Sequence, residues 1–165
     1  MKNWTELDES LYDQVWDKVY KDFRFNPSVH EEEWPSFIPP SQFITFDISK
    51  LYGSEFDELM KDLEHCIIKS FKEITHKDEF IYALDWHHTA YWYNPHFENP
   101  SDEFGRWPVS IHPDGDYYFF IKQDFSWGYL GHPWEHSVCL YGEKLLLAVE
   151  RNMPKLFKKI IRQSI

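Results

Sequence analysis

Six of the nine histidines, His87, His88, His96, His112, His132 and His136, fall between positions 87 and 136. Imidazole ligates metal as the neutral ring and moves protons near neutral pH, so this concentration points first to a metal centre or to acid–base chemistry. On a helix, His132-x-x-x-His136 puts two rings on one face, with Asp85, His87 or His88 available to complete a zinc set. The neighbouring residues oppose it. Val138, Cys139 and Leu140 read as a strand, no glutamate follows the first histidine, and adjacent His87 and His88 point to opposite faces of any strand. The sequence therefore assigns no metal and no cofactor. For proton transfer, Asp85 or Glu135 can orient His88 or His132 as a general base. The competing role for these carboxylates, which sit beside turns, is to accept backbone amides.

Nucleophilic catalysis has less support. There is no Gly-x-Ser-x-Gly elbow, and neither Cys66 nor Cys139 has a Cys-x-x-Cys partner or an electropositive setting, so both read as buried thiols. With six glycines in all, no phosphate-cradling loop can be written. The most distinctive stretch is Gly128-Tyr129-Leu130-Gly131-His132-Pro133-Trp134-Glu135, where glycines and a proline break any plain strand. Its tryptophan, beside a histidine and a glutamate, offers a stacking face edged by hydrogen-bonding groups. The stretch reads either as a structural corner plugged by Trp134 or as a binding loop facing Trp86 and His88. On the second reading the ligand- or partner-binding candidates are Asp85, Trp86, His88, His132, Trp134 and Glu135.

The elements that must position these residues follow from periodicity. Thr5 and Asp8 resemble a capping box ahead of Leu7, Leu11, Val15, Val19 and Phe23, which predicts a helix over about 6–23. Residues 26–41 read as a loop, 43–48 as a strand, and the stripe from Phe56 to Ile74 as a second helix opened by Ser54 and Asp57. Between 79 and 140, aromatic and β-branched residues punctuated by turn formers predict strands at 80–86, 90–93, 107–111, 117–122, 125–129 and 137–140. Residues 112–116 form a hairpin turn and 94–106 a longer loop. A helical period continues from Leu145 to Ile161 across Pro154, which predicts a kinked closing helix or two helices with Asn152 capping the second. The fold class is α+β: a mostly antiparallel sheet with helices packed on one face, a single two-layer domain over 1–165. Its parts are an N-terminal helix within 1–25, a core over 34–150 and a C-terminal helix over 151–165.

At 165 residues and 20.1 kDa the chain fits one domain, and 42% apolar with 27% charged residues is a globular composition. The formal net charge is −11, which excludes nucleic acid as a partner and admits a basic or cationic one. Arg151, Lys155, Lys158, Lys159 and Arg162 read as the polar face of the closing helix. No apolar stretch serves as a signal-peptide core or a membrane span, so the expectation is a cytoplasmic chain without membrane contact. Aromatic residues reach 19%, more than a core of this size is expected to absorb, which predicts that some line a groove or interface.

Ala83-Leu84-Asp85-Trp86 with His88, then Trp107-Pro108, Asp114-Gly115-Asp116-Tyr117-Tyr118 and Gly131-His132-Pro133-Trp134-Glu135, followed by Cys139 and Gly142, form an ordered set of motifs. In that order the chain resembles an uncharacterised bacterial family catalogued only as a domain of unknown function. The resemblance spans residues 34–150 and implies a bacterial cytoplasmic protein; it implies no activity and assigns no catalytic residue. His87 and His136 lie outside the resembling motifs, which weighs further against a metal. The leading reading is a non-enzymatic acidic module that presents an aromatic surface to a basic protein, in the manner of an immunity protein that inhibits a toxin. The alternative is a small-molecule enzyme or sensor walled by Trp86 and Trp134, with His88, His132, Asp85 and Glu135 as polar contacts.

Overall fold

The fold was analysed in a computed structural model that describes residues 3–97 and 106–165. The strands are β1 (Trp4–Glu6), β2 (Phe43–Asp47), β3 (Ile81–Asp85), β4 (Tyr91–Tyr93), β5 (Tyr118–Ile121), β6 (Gly128–His132), β7 (Ser137–Tyr141) and β8 (Ile160–Ser164). They form one sheet in the order β1-β4-β3-β5-β6-β7-β2-β8, antiparallel at every pairing. Three helices accompany it: α1 (Glu9–Asp22), α2 (Phe56–Glu73) and α3 (Glu143–Arg151). The chain is thus an α+β protein built on an antiparallel sheet.

The helices cover both faces of that sheet rather than one. Ile81, Ala83, Phe120, Tyr129, Val138 and Leu140 meet Leu63, Ile67 and Phe71 of α2 and Leu145 and Val149 of α3. Their chain neighbours Tyr82, Leu84, Phe119, Ile121, Leu130, Cys139 and Tyr141 face the other way, onto Trp16, Val19 and Phe23 of α1 with Phe25 and Phe37. Successive strand residues point to opposite faces, so strands apolar at every position must be buried on both. The central strands β6 and β7 are buried throughout. Two cores absorb far more rings than one, and Trp16, Trp127, Tyr93, Tyr117, Tyr129 and Tyr141 are all interior. The expected surplus of accessible aromatics shrinks, among the described residues, to Tyr20, Tyr52, Phe56 and Trp134.

Local differences have local causes. The first helix starts at Glu9 because Asp8, not Thr5, caps it: the Asp8 carboxylate accepts the Leu11 amide at 2.9 Å. Thr5 instead pairs with Trp92 in β1. Residues 107–111 form no strand. They run irregularly past α2 and bury Val109 and Ile111, so 112–116 closes no hairpin. The strand predicted over 125–129 starts only at Gly128, because the residues before it form the β5–β6 hairpin turn, with Phe125 at a φ of 61°. The predicted loop over 94–106 falls largely outside the described residues.

The predicted closing helix is the largest correction. α3 stops at Arg151, where the Asn152 amide bonds Ala148 and Val149, and Pro154 cannot extend it. Leu156 and Phe157 then turn into the core, Phe157 stacking on Phe46 at 4.5 Å. The β-branched pair Ile160-Ile161 continues as edge strand β8 against β2. The helical spacing of Leu156, Phe157, Ile160 and Ile161 therefore arises from a buried turn followed by a strand. The basic residues share no helix face, and Arg162 turns inward. At the head of α3, Gly142 holds a φ of +91°, and a Cβ there would lie 2.6 Å from Cβ of Trp127.

Candidate functional site

All six nominated residues gather at one end of the central sheet, where β3 stops, β5 begins and β6 turns into β7. Asp85 is the last residue of β3, and the turn that follows, with His87 at a φ of 66°, returns the His88 amide to the Asp85 carbonyl at 3.0 Å. That turn swings the His88 ring back over the strand end. Its Nδ1 donates to Asp85 Oδ1 at 2.9 Å and lies 3.2 Å from Asp116 Oδ2. Asp116 is fixed in turn by accepting the Tyr117 amide at 2.8 Å.

The electrostatics of this trio are those of two carboxylates sharing one exposed imidazole. Hydrogen bonding to Asp85, and then its charge, raises the His88 pKa above its ordinary value. Burial raises the Asp85 carboxyl, with Asp116 repelling it, and burial likewise raises Asp116. The three ligand atoms lie within 4.8 Å of one another, so the group offers a divalent cation three donors in competition with the proton on His88. Asp116 reaches Asp85 and His88 from about thirty residues further along the chain, a grouping the sequence reading did not form.

His132 has a different role from the one nominated. It is 0% exposed, its Nδ1 accepts the Glu135 amide at 3.1 Å, and its Nε2 faces Ser36 Oγ at 3.1 Å. With Nδ1 accepting, the proton resides on Nε2 and is donated to Ser36, so the ring has no free lone pair with which to act as a base. Burial holds its pKa down at about 4, and the ring is neutral at physiological pH. Glu135 is also committed: Arg162 grips both its oxygens at 2.7 and 2.6 Å, and Ser137 donates at 2.6 Å. Burial alone would raise the Glu135 carboxyl, but these donors outweigh it and hold the pKa below its ordinary value. Arg162 escaped the sequence reading because its strand was read as a helix.

Tyr117 joins the two clusters. Its ring packs edge-on to Trp86 at 5.9 Å and lies 4.9 Å from His132 and 5.5 Å from Trp134, while its hydroxyl reaches Ser36 at 3.0 Å. Trp86 is half-buried, its indole N–H donating to the Tyr20 hydroxyl at 2.7 Å. Trp134 is 38% exposed. His88 and His132 belong to separate networks and form no common acid–base pair. The other histidines disperse: His136 stacks on Tyr52 at 4.0 Å in a tight turn, and His96 bonds Thr75 at 2.9 Å. The helical His132/His136 zinc pair is overturned, since the first lies on β6 and the second in the β6–β7 turn. Gly131 makes this end compact, because a Cβ there would meet Pro113 at 2.8 Å. Asp116, Tyr117 and Ser36, which were not among the six candidates, lie with them at this end of the sheet.

No described helix is long and apolar enough to cross a membrane. No solved structure matches the chain. An uncharacterized protein of Bacillus subtilis (strain 168), YxiI, is 41% identical over 163 residues, covering 96% of this chain and 99% of that protein. The similarity thus reaches beyond the span over which the motifs were first traced and takes in α1. A family profile matches residues 6–146, from the end of β1 into α3, so the chain belongs to the bacterial family described as "Protein of unknown function (DUF2716)".

Proposed function

We propose that this chain is a non-catalytic, cytoplasmic, protein-binding module that uses the acidic, aromatic end of its sheet to engage a basic protein, as an immunity-type inhibitor does. The observation that carries the reading is the exposed Trp134 indole on a rigid Tyr117–His132 base, at the same sheet end as the half-buried carboxylates of Asp85 and Asp116. Rigid tryptophans anchor interfaces, and flanking charge selects and accelerates a partner of opposite sign. Glu31, Glu32 and Glu33 are exposed on the neighbouring segment, which Trp34 ties in through His132 at 5.2 Å. A base at His132 is unavailable, so the enzyme reading loses the residue it needed most.

The test is co-purification from the native host with the tagged chain and its Trp134→Ala variant, at about 50 mM and about 500 mM salt. The expected result is a basic protein retained by the parent at low salt, released at high salt and lost by the variant. Equal retention by both, or no retained protein, contradicts the proposal.

A further inference from the structure

On the opposite face of the sheet, between α2, the irregular segment 106–117 and the start of β5, lies a pocket of about 570 Å³. Phe56, Met60, Glu64, Trp107, His112 and Tyr118 are among its lining residues. Its size suits a small organic ligand. Two of its polar groups lack partners. His112 is 5% exposed and its Nε2 has no hydrogen bond among the described residues, although the ring is held firmly by Tyr52 at 5.3 Å and Phe56 at 5.6 Å. Glu64, half-buried on α2, makes neither hydrogen bond nor ion pair there, and burial alone raises its pKa. Buried groups left in this condition cost free energy that a ligand with matching donors recovers.

The unmet capacity defines the ligand's chemistry. Burial lowers the His112 pKa, which keeps the ring neutral and able to present a lone pair. A desolvated carboxylate calls for donors, and a primary ammonium supplies three with a charge that suits Glu64. Asp57 and Asp114 also line the pocket, so carboxylates outnumber the two cations Lys61 and Arg106. Phe56, Trp107 and Tyr118 supply ring faces for a carbon skeleton and for cation–π contact. We propose that this pocket binds a small organic molecule through a primary ammonium group paired with Glu64, with the unpartnered Nε2 of His112 as a further polar contact and its apolar part against Phe56 and Trp107. The site is separate from the partner-binding end, and either proposal stands if the other fails.

Three probes of one shape test it by calorimetry: 2-phenylethylamine, which carries the ammonium alone; phenylalanine, which adds a carboxylate; and 2-phenylethanol, which has neither. The expected result is saturable binding of one or both ammonium compounds at least about tenfold tighter than the alcohol. Binding of the amine alone identifies simple amines as the ligand class, and binding of phenylalanine identifies amino acids. Glu64→Gln, nearly the same shape, should lower that affinity about tenfold while leaving the ligand-free melting temperature unchanged or raised, because it removes a desolvated, unpartnered charge. A drop in melting temperature would mark Glu64 as structural and overturn the assignment. Failure of both ammonium compounds to bind, equal binding of the alcohol, or unchanged affinity in Glu64→Gln would also overturn it.

Discussion

Arg162 and Glu135 show how a single pair fixes the candidate end of the sheet. The Glu135 carboxylate is largely buried, and Arg162 is its counter-ion across 2.6 Å. Arg162→Ala strands that charge, and after allowance for the partial exposure of the guanidinium we expect a loss of about 1–3 kcal/mol in urea unfolding at neutral pH. The sign with pH follows from the depressed Glu135 pKa: its stabilisation is present above the unfolded carboxylate value and disappears as pH falls through the lower folded one. Parent and variant stabilities should therefore converge as pH falls below the ordinary carboxylate range and through the lower folded value. His132 works in the same direction with a different charge. Its folded pKa of about 4 lies below the ordinary 6.5, so its contribution is full above the latter and is lost between the two as the unfolded state takes up a proton. Denaturation midpoints measured across that window should fall more steeply in the parent than in His132→Gln, and an NMR titration should show the ring neutral until about pH 4. Asp85, Trp86 and His88 were recognisable from their motif. The roles of His132 and Glu135 were not, because satisfaction by Ser36 and Arg162 depends on contacts far away in the chain.

Among the elements, α2 was plain in the sequence because an unbroken apolar stripe on a helix has few other interpretations. The central strands were recognisable too, whereas their two-sided burial showed only as an absence of alternation in segments such as Tyr118–Ile121 and Ser137–Tyr141. β8 was misread since the helical period of Leu156, Phe157, Ile160 and Ile161 is satisfied equally by a turn that buries two residues and a strand that follows. Pro154 marked the break, but its cost was assigned to a kink. Removing residues 160–165 tests the strand directly: β2 becomes the sheet edge, Glu135 loses Arg162, and the expected loss is at least about 2 kcal/mol with increased aggregation. A dispensable fraying helix end would leave both quantities unchanged, which urea unfolding and light scattering can establish.

Across the whole molecule, two cores on one sheet explain how a chain so rich in rings leaves few at the surface, and this gives the exposed Trp134 its weight. Charge is unevenly distributed as well: residues 1–150 hold all 28 acidic groups against 12 basic ones, while β8 and the turn before it are basic. On the proposed function, a cationic partner would be drawn to the acidic bulk and located by the indole at the sheet end. The resemblance seen in the motifs correctly indicated a bacterial family, and the α+β class was correctly read, but the arrangement of helices required the three-dimensional pairing. The most direct measurement places a photo-crosslinking phenylalanine analogue at position 134 in living host cells, with position 147 on α3, also exposed, as the control. Capture of a basic protein at 134 and not at 147 is the predicted result; equal yields at both positions, or no captured protein at 134, would contradict the assignment of that sheet end as a binding surface.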